Sequence, residues 1–236
     1  VNGYCTNNAV KEIDTSHKNL KKYFYKNFNS VYSYEDILRA TKGMPTRLGL
    51  IVELIFHGFK GATKLNEIRY LKVEDLHNDN GRCYVSFERG DIEIPEELYH
   101  KLINFNRTLI DSETGRGYMP SEYIFKQIDR ADNVGKSPIV RETIGTSAVA
   151  SFKEAINDST VTMKTLRYSG FNYYAYQLMQ ESEQMVLTKD ILKVMASRYK
   201  VGINNAGFWS YTTLLDWVFE DKIKEFYSDF ELSDEF

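Results

Sequence analysis

Two short segments carry cations at spacings that suit anion chemistry. In Lys164-Thr165-Leu166-Arg167-Tyr168, a lysine and an arginine stand three residues apart near the start of a helical stretch. In Gly61-Ala62-Thr63-Lys64-Leu65-Asn66-Glu67-Ile68, a lysine precedes a glutamate by three residues, again at a helix start. Lysine and arginine so placed can pair with a nucleic-acid phosphate. The same residue types also serve as solvated helix charges, and short motifs recur by chance. A third segment, Arg141 to Ala155 (RETIGTSAVASFKEA), sets Val149, Phe152 and Ile156 on an inner face. It leaves Thr143, Thr146, Ser147 and Lys153 small or polar on the outer one. Small side chains let a helix enter a major groove, where Ser and Thr reach base edges or phosphates; an ordinary amphipathic helix has the same pattern. The basic run Lys18 to Lys26, with Tyr23 and Tyr25, reads as a phosphate-tracking or simply solvated helix face.

Other chemistries find no footing. None of the four histidines, at positions 17, 57, 77 and 100, stands with acids at metal-ligand spacing, so no metal is expected. No phosphate-cradling G-x-x-x-x-G-K-S/T loop, G-x-G-x-x-G or G-x-S-x-G occurs, and no cofactor is expected. Two cysteines, Cys5 and Cys83, suit a reducing cytosolic setting. The longest apolar run, Leu48 to Phe59, is interrupted by Glu53 and His57, so no membrane span is expected.

The 236-residue chain is long enough for one large domain or for one domain plus part of another. It begins at Val1, which reads as a fragment whose N-terminal portion is missing. The net charge of −3 is unevenly spread: the stretch from Asp216 onward carries −6, leaving +3 on the body. A mildly basic body with an acidic tail permits a DNA-binding face without requiring one.

Residues 1–30 contain a lysine-rich helical pattern, with a linker over Asn27 to Tyr32. Ser33 is the expected N-cap of a helix beginning at Tyr34. Thr46 to His57 reads as a buried helix broken by Gly58 and Gly61, and Lys64 to Leu71 as a second helix. Cys83 to Phe87 and Asp91 to Ile94 alternate around an Arg89-Gly90 turn, a hairpin signal. Pro95 opens a helix through Leu102 and Phe105, and Tyr123-Ile124-Phe125 reads as a third short strand. From Arg141 the pattern is helical, with breaks near Asn157 to Thr160, at Gly170, and at Gly202 to Gly207. The fold class is mainly α with a small antiparallel β-sheet.

This order of elements, with the motifs above, resembles the catalytic domain of the tyrosine recombinases, the phage-integrase family, over about residues 33 to 215. The resemblance implies a division into 1–30, the end of a helical core-binding domain plus linker, and 31–236, a recombinase catalytic-like domain with an acidic C-terminal helix or tail. It places the family's early arginine on Lys64, its H-x-x-R pair on Lys164 and Arg167, and its late His or Trp near Ser197 or at Trp209. Arg89 is the nearest cation to the hairpin lysine, and Tyr199 and Tyr211 compete for the nucleophile. The family's arginines clamp the scissile phosphate bidentately, which a flexible lysine cannot do. Losing one such stabiliser costs about 10²–10³ in rate.

The implied function is a sequence-specific protein that binds double-stranded DNA at an operator-like site and has lost strand cleavage. The implied contacts are Lys64, Arg89, Arg141, Thr143, Thr146, Ser147, Lys153, Lys164, Arg167 and Tyr168. The chain also resembles the recombinase-fold master repressors of SPβ-type Bacillus phages. That points to a prophage repressor maintaining lysogeny, not an enzyme, in the host cytosol and nucleoid-associated when bound. Two alternatives stand beside it: an active divergent integrase using Tyr211 or Tyr199, and an interaction module whose acidic aromatic tail (Trp217, Phe219, Phe226, Phe230) takes a regulatory protein or peptide. That tail would dock on a neighbouring subunit or fold back in cis.

Overall fold

The computed structural model describes residues 31–59, 65–129, 138–183, 186–199 and 211–227, with backbone alone at 211–213. The basic run Lys18 to Lys26, Lys64, Trp209, Phe230 and the Gly202 to Gly207 break lie outside the described residues.

Helix α1 (Tyr34–Lys42) starts where expected. The Ser33 hydroxyl accepts from the Asp36 N–H, and the Asp36 carboxylate accepts from the Ser33 N–H in return, a closed capping box. Helix α2 (Thr46–Phe56) is buried on nearly every face, including Arg47 and Glu53. Glu53 tolerates that burial because Lys101 and the Thr41 hydroxyl both bond its carboxylate. A single turn, α3 (Asn66–Arg69), is the next described helix, entered through Leu65 in a left-handed conformation. It is shorter than the helix expected over Lys64 to Leu71.

The sheet has three antiparallel strands in sequence order: β1 (Leu76–Asp79), β2 (Arg82–Val85) and β3 (Ile92–Glu93). The expected hairpin is present as β2–β3, with Val85 opposite Ile92. β1 is an addition. It is joined to β2 by Asn80-Gly81, both at positive φ, the geometry of a tight two-residue hairpin turn. Tyr123 makes only an isolated bridge to Lys72 and does not form the expected strand, which corrects that expectation. Helix α4 (Glu96–Arg107) begins directly after Pro95.

A π-helical turn (Thr143–Ser147) runs into α5 (Ala148–Ile156), which ends at Asn157 in a left-handed conformation. Helix α6 (Met163–Glu181) is 19 residues long and continues straight through Gly170, where the sequence pattern suggested a break. Helix α7 (Lys189–Tyr199), a 3₁₀ turn (Tyr211–Asp216) and α8 (Glu220–Phe226) complete the described chain.

Two hydrophobic clusters form. The first joins α1, α2, the sheet, α4 and α5; the second joins the later turns of α6 to α7, α8 and the segment before α8. Helix α6 belongs to both, through Leu166 on one side and Phe171, Ala175 and Met179 on the other. Gly170 lets α6 press directly on the C-terminal end of α2: a Cβ there would lie 1.6 Å from the Phe56 carbonyl oxygen.

The C-terminal segment returns in cis. Buried Asn172 donates from Nδ2 to the Tyr168 and Trp217 carbonyls at 2.7 and 3.0 Å, and its Oδ1 accepts from the Phe219 N–H at 2.7 Å. All three bonds are closed inside the second cluster, where an open one would cost about 1–3 kcal/mol. Tyr227 then stacks on Tyr176, and its hydroxyl accepts from the Tyr34 N–H at the head of α1. No helix among the described residues is long and apolar enough to cross a membrane.

Candidate phosphate-binding site

The turn from β2 to β3 carries Arg89 at its tip, and the following Gly90 has φ of +111°. That turn aims the guanidinium inward. Its Nε and Nη2 donate to the two oxygens of Glu67 at 2.6 and 2.9 Å, a fork-to-fork pair. Nη2 also donates to the Gly58 carbonyl and Nη1 to the Arg198 carbonyl, each at 3.1 Å. Arg89 therefore clips the end of α2, the turn α3 and the end of α7 to the hairpin. As a DNA contact this residue is corrected: its guanidinium is committed to four acceptors in a largely buried position.

Arg167 projects from the second turn of α6 toward the same spot, passing over the Phe171 ring at 5.7 Å. Its Nε is buried and has no hydrogen-bond partner. Burial, then the neighbouring Arg89 charge, pull its pKa down, and Tyr199 and Glu67 are close enough to act in the opposite sense. The centre of the site thus holds two guanidiniums against one carboxylate. Lys164 stands one helical turn earlier, exposed, its ammonium 5.6 Å from the Tyr168 ring centroid. The N-terminus of α6 adds the positive end of a long helix dipole beside these cations, a setting that favours an anion. The Thr162–Thr165 capping box fixes where that helix starts.

The π-helical turn lies alongside. A Cβ on Gly145 would sit 3.5 Å from the Met163 Cε and 3.6 Å from the Leu65 Cδ1. The three segments singled out in the sequence, around residues 65, 145 and 164, therefore meet at one place. Ile144, Ala148, Val149 and Phe152 are buried, while Arg141, Thr146 and Ser147 are exposed and Thr143 and Lys153 half-buried. Five helical residues wound in the wider π form shift the face of this segment and bring its small polar residues outward together.

Two expected residues are packing residues instead. Tyr168 is 3% exposed and stacks on Trp217 at 4.9 Å, so it is withdrawn as a DNA contact. One residue beyond Arg167, it points about 100° around the helix into the second cluster. Tyr199 is fully enclosed, 4.2 Å from the Phe171 ring, and a Cβ at Gly58 would strike its Cε1 at 2.2 Å. Burial pushes its hydroxyl up to about 12. Ser197 is exposed on α7, and the Tyr211 side chain lies outside the described residues.

Three contributors escaped the sequence reading: His57, Arg198 and Asn172. His57 is enclosed by Tyr34, Phe56 and Tyr173, with its Nε2 unpartnered. Burial first, then the Arg198 and Lys101 charges, push its pKa down to about 3. The fold thus resists protonation of an imidazole that titrates near 6.5 when unfolded. The stability this supplies is complete above pH 6.5 and falls as the pH drops toward 3. At pH 5 the loss from this group is about 2 kcal/mol. Glu53, pushed up by burial, works in the opposite sense. Urea titrations at pH 7 and pH 5 should therefore be compared between the parent and His57→Phe; the same acid slope in both would exclude His57 as its source.

The site thus sits in a mainly helical domain with a small antiparallel sheet, its cations gathered at the start of a long helix beside a small polar helical turn. The family model described as "MrpR, C-terminal catalytic domain" matches residues 32–228, and the chain belongs to that family. Among solved structures, the chain is similar to one titled "Crystal structure of XerA recombinase", at 14% identity, with a TM-score of 0.44, over 75% of this chain. It spans 60% of that recombinase's length. No curated protein matches.

Proposed function

We propose that this domain grips the backbone of double-stranded DNA at a defined site without cutting it, and serves as a prophage repressor. The observation that carries the reading is the buried Arg167 Nε, left without a partner beside the Arg89–Glu67 pair. A phosphate oxygen is the natural acceptor for such a donor. The exposed Arg141, Thr146 and Ser147 beside it supply a surface for base edges and flanking phosphates.

Loss of cleavage is supported by the residue types. Lys64 and Lys164 stand where the recombinase resemblance expects an arginine and a histidine. Lysine keeps a charge but gives neither the bidentate clamp nor the proton transfer, so ground-state binding suffers less than the transition state. Tyr199 is enclosed and its hydroxyl resists ionisation, which counts against it as nucleophile. In this role the domain would act as the recombinase-fold repressors of SPβ-type phages do, in the cytosol of a bacterial host.

The test is a salt-dependent gel-shift titration on DNA recovered from the host. Arg167→Ala and Lys164→Ala should each weaken binding across sequences and lower the salt slope by about one unit. Unchanged binding in both variants would remove the proposed anchor. An active recombinase using Tyr211 is the second reading, favoured by the retained Arg167. A covalent adduct on a nicked suicide substrate, lost in Tyr211→Phe, would establish it.

A further inference from the structure

Behind the cradle lies a separate cavity of about 410 Å³. The rings of Tyr34, Tyr173 and Tyr174 form its walls, and His57, Gln177 and Arg198 supply its polar groups. It lies between the end of α2, the start of α4, the middle of α6 and the end of α7. Tyr199 is the partition: one side lines this cavity, and the other neighbours Arg167 and Arg89.

Two polar groups here are unanswered. Arg198 stacks its guanidinium 4.0 Å over Tyr174 and donates from Nη2 to the Glu93 carbonyl, yet its Nε is buried without a partner. Among the described residues no carboxylate pairs with it. His57 is 8% exposed, lines the cavity, and holds an unpartnered Nε2. Buried polar groups are normally satisfied, so two open ones in one cavity point to an absent partner. The nearby acids do not fill that role. Glu93 turns its carboxylate to Arg82, and Glu181 is exposed at the end of α6. A cation and a neutral imidazole at one end, with three tyrosine rings around the rest, suit an acceptor-bearing anion on a flat apolar body. The volume fits one or two rings.

We propose that this cavity binds a small aromatic carboxylate, its carboxylate on Arg198 and His57 and its ring among the tyrosines, and that occupancy alters the phosphate cradle. The coupling rests on the DNA-binding reading above and has a direct structural route. His57-Gly58 and Arg198-Tyr199 each offer side chains to the cavity. The same two dipeptides supply the carbonyls, of Gly58 and Arg198, that accept from Arg89. Seating a ligand against these side chains shifts the carbonyls that hold Arg89, and with it the Glu67 pair beside Arg167.

The probes are indole-3-acetate and 4-hydroxyphenylacetate, with indole as the control lacking a carboxylate. Binding is read by NMR titration and thermal shift without DNA, then by gel shift with DNA. Both carboxylates should bind saturably below about 10 mM, and indole at least about tenfold more weakly. Arg198→Gln should weaken the carboxylates about tenfold, and Gln177→Trp, which fills the cavity away from the cradle, should abolish binding while leaving the fold intact. Saturating ligand should change DNA affinity about threefold or more. No saturable binding by either carboxylate, or binding indifferent to both variants, overturns the site. Binding with unaltered DNA affinity overturns the coupling. A protein that takes up the probes but binds no DNA under any salt condition instead overturns the function proposed above.

Discussion

Gly170→Ala is expected to cost the chain more stability than alanine at any other described glycine. The new Cβ would sit 1.6 Å from the Phe56 carbonyl oxygen and 2.7 Å from its carbonyl carbon. These are backbone atoms at the end of α2 and cannot rotate away as a side chain would. Relief requires α6 to withdraw from α2, and α6 is shared by both hydrophobic clusters, so both would open. Alanine gains about 1 kcal/mol over glycine in a helix interior, which opposes the effect but does not reverse it. Overpacking against an immovable wall places the loss at about 4 kcal/mol or more. Gly43→Ala is the matched control, since its Cβ would meet only the Ala40 oxygen at 3.6 Å. Urea denaturation of the two variants tests the argument, and equal midpoints would refute it.

Glu67→Gln should produce the second largest loss. It leaves Arg89 and Arg167 as neighbouring, mostly buried guanidiniums without their carboxylate. Removing one member of such a group leaves an uncompensated charge and costs about 3–5 kcal/mol. Adding Arg89→Met in the same chain should recover part of that loss, because the repulsion and the unpaired donor leave together. Sulfate should also raise the melting temperature of Glu67→Gln more than that of the parent, by supplying the negative charge that the substitution removes beside the two guanidiniums. If sulfate stabilises both alike, the two guanidiniums do not form one anion site.

Much of the fold was legible because periodicity and capping are local. Ser33 and Asp36 close a box within four residues, and Pro95 marks the start of α4 directly. Strand β1 was missed because Leu-His-Asn-Asp lacks β-branched residues; the Asn80-Gly81 turn beside it was the usable signal. Gly170 read as a break because isolated glycines weaken helices, whereas here the missing side chain is what admits α2.

The site was legible in part. Spacing alone drew attention to Arg167 and the turn before α5. The direction of Arg89 was hidden because its four acceptors come from residues 58, 67 and 198, which no local pattern joins. His57 and Arg198 lie too far apart in the chain for their pairing to be read at all. Tyr168 was misassigned by proximity to Arg167, since adjacent helix residues face different neighbours.

The way Asn172 and Tyr34 hold the last described residues has a consequence for biosynthesis. Trp217, Phe219 and Tyr227 leave the ribosome well after α1 and α6, yet the Trp217 carbonyl, the Phe219 N–H and the Tyr227 hydroxyl close bonds with α6 and the head of α1. Until residues 217–227 have been made, the aromatic flank of α6 lacks the segment that covers it. The nascent polypeptide must hold that sticky surface open until residues 217–227 arrive, and chaperones or premature self-association compete for it in the interval.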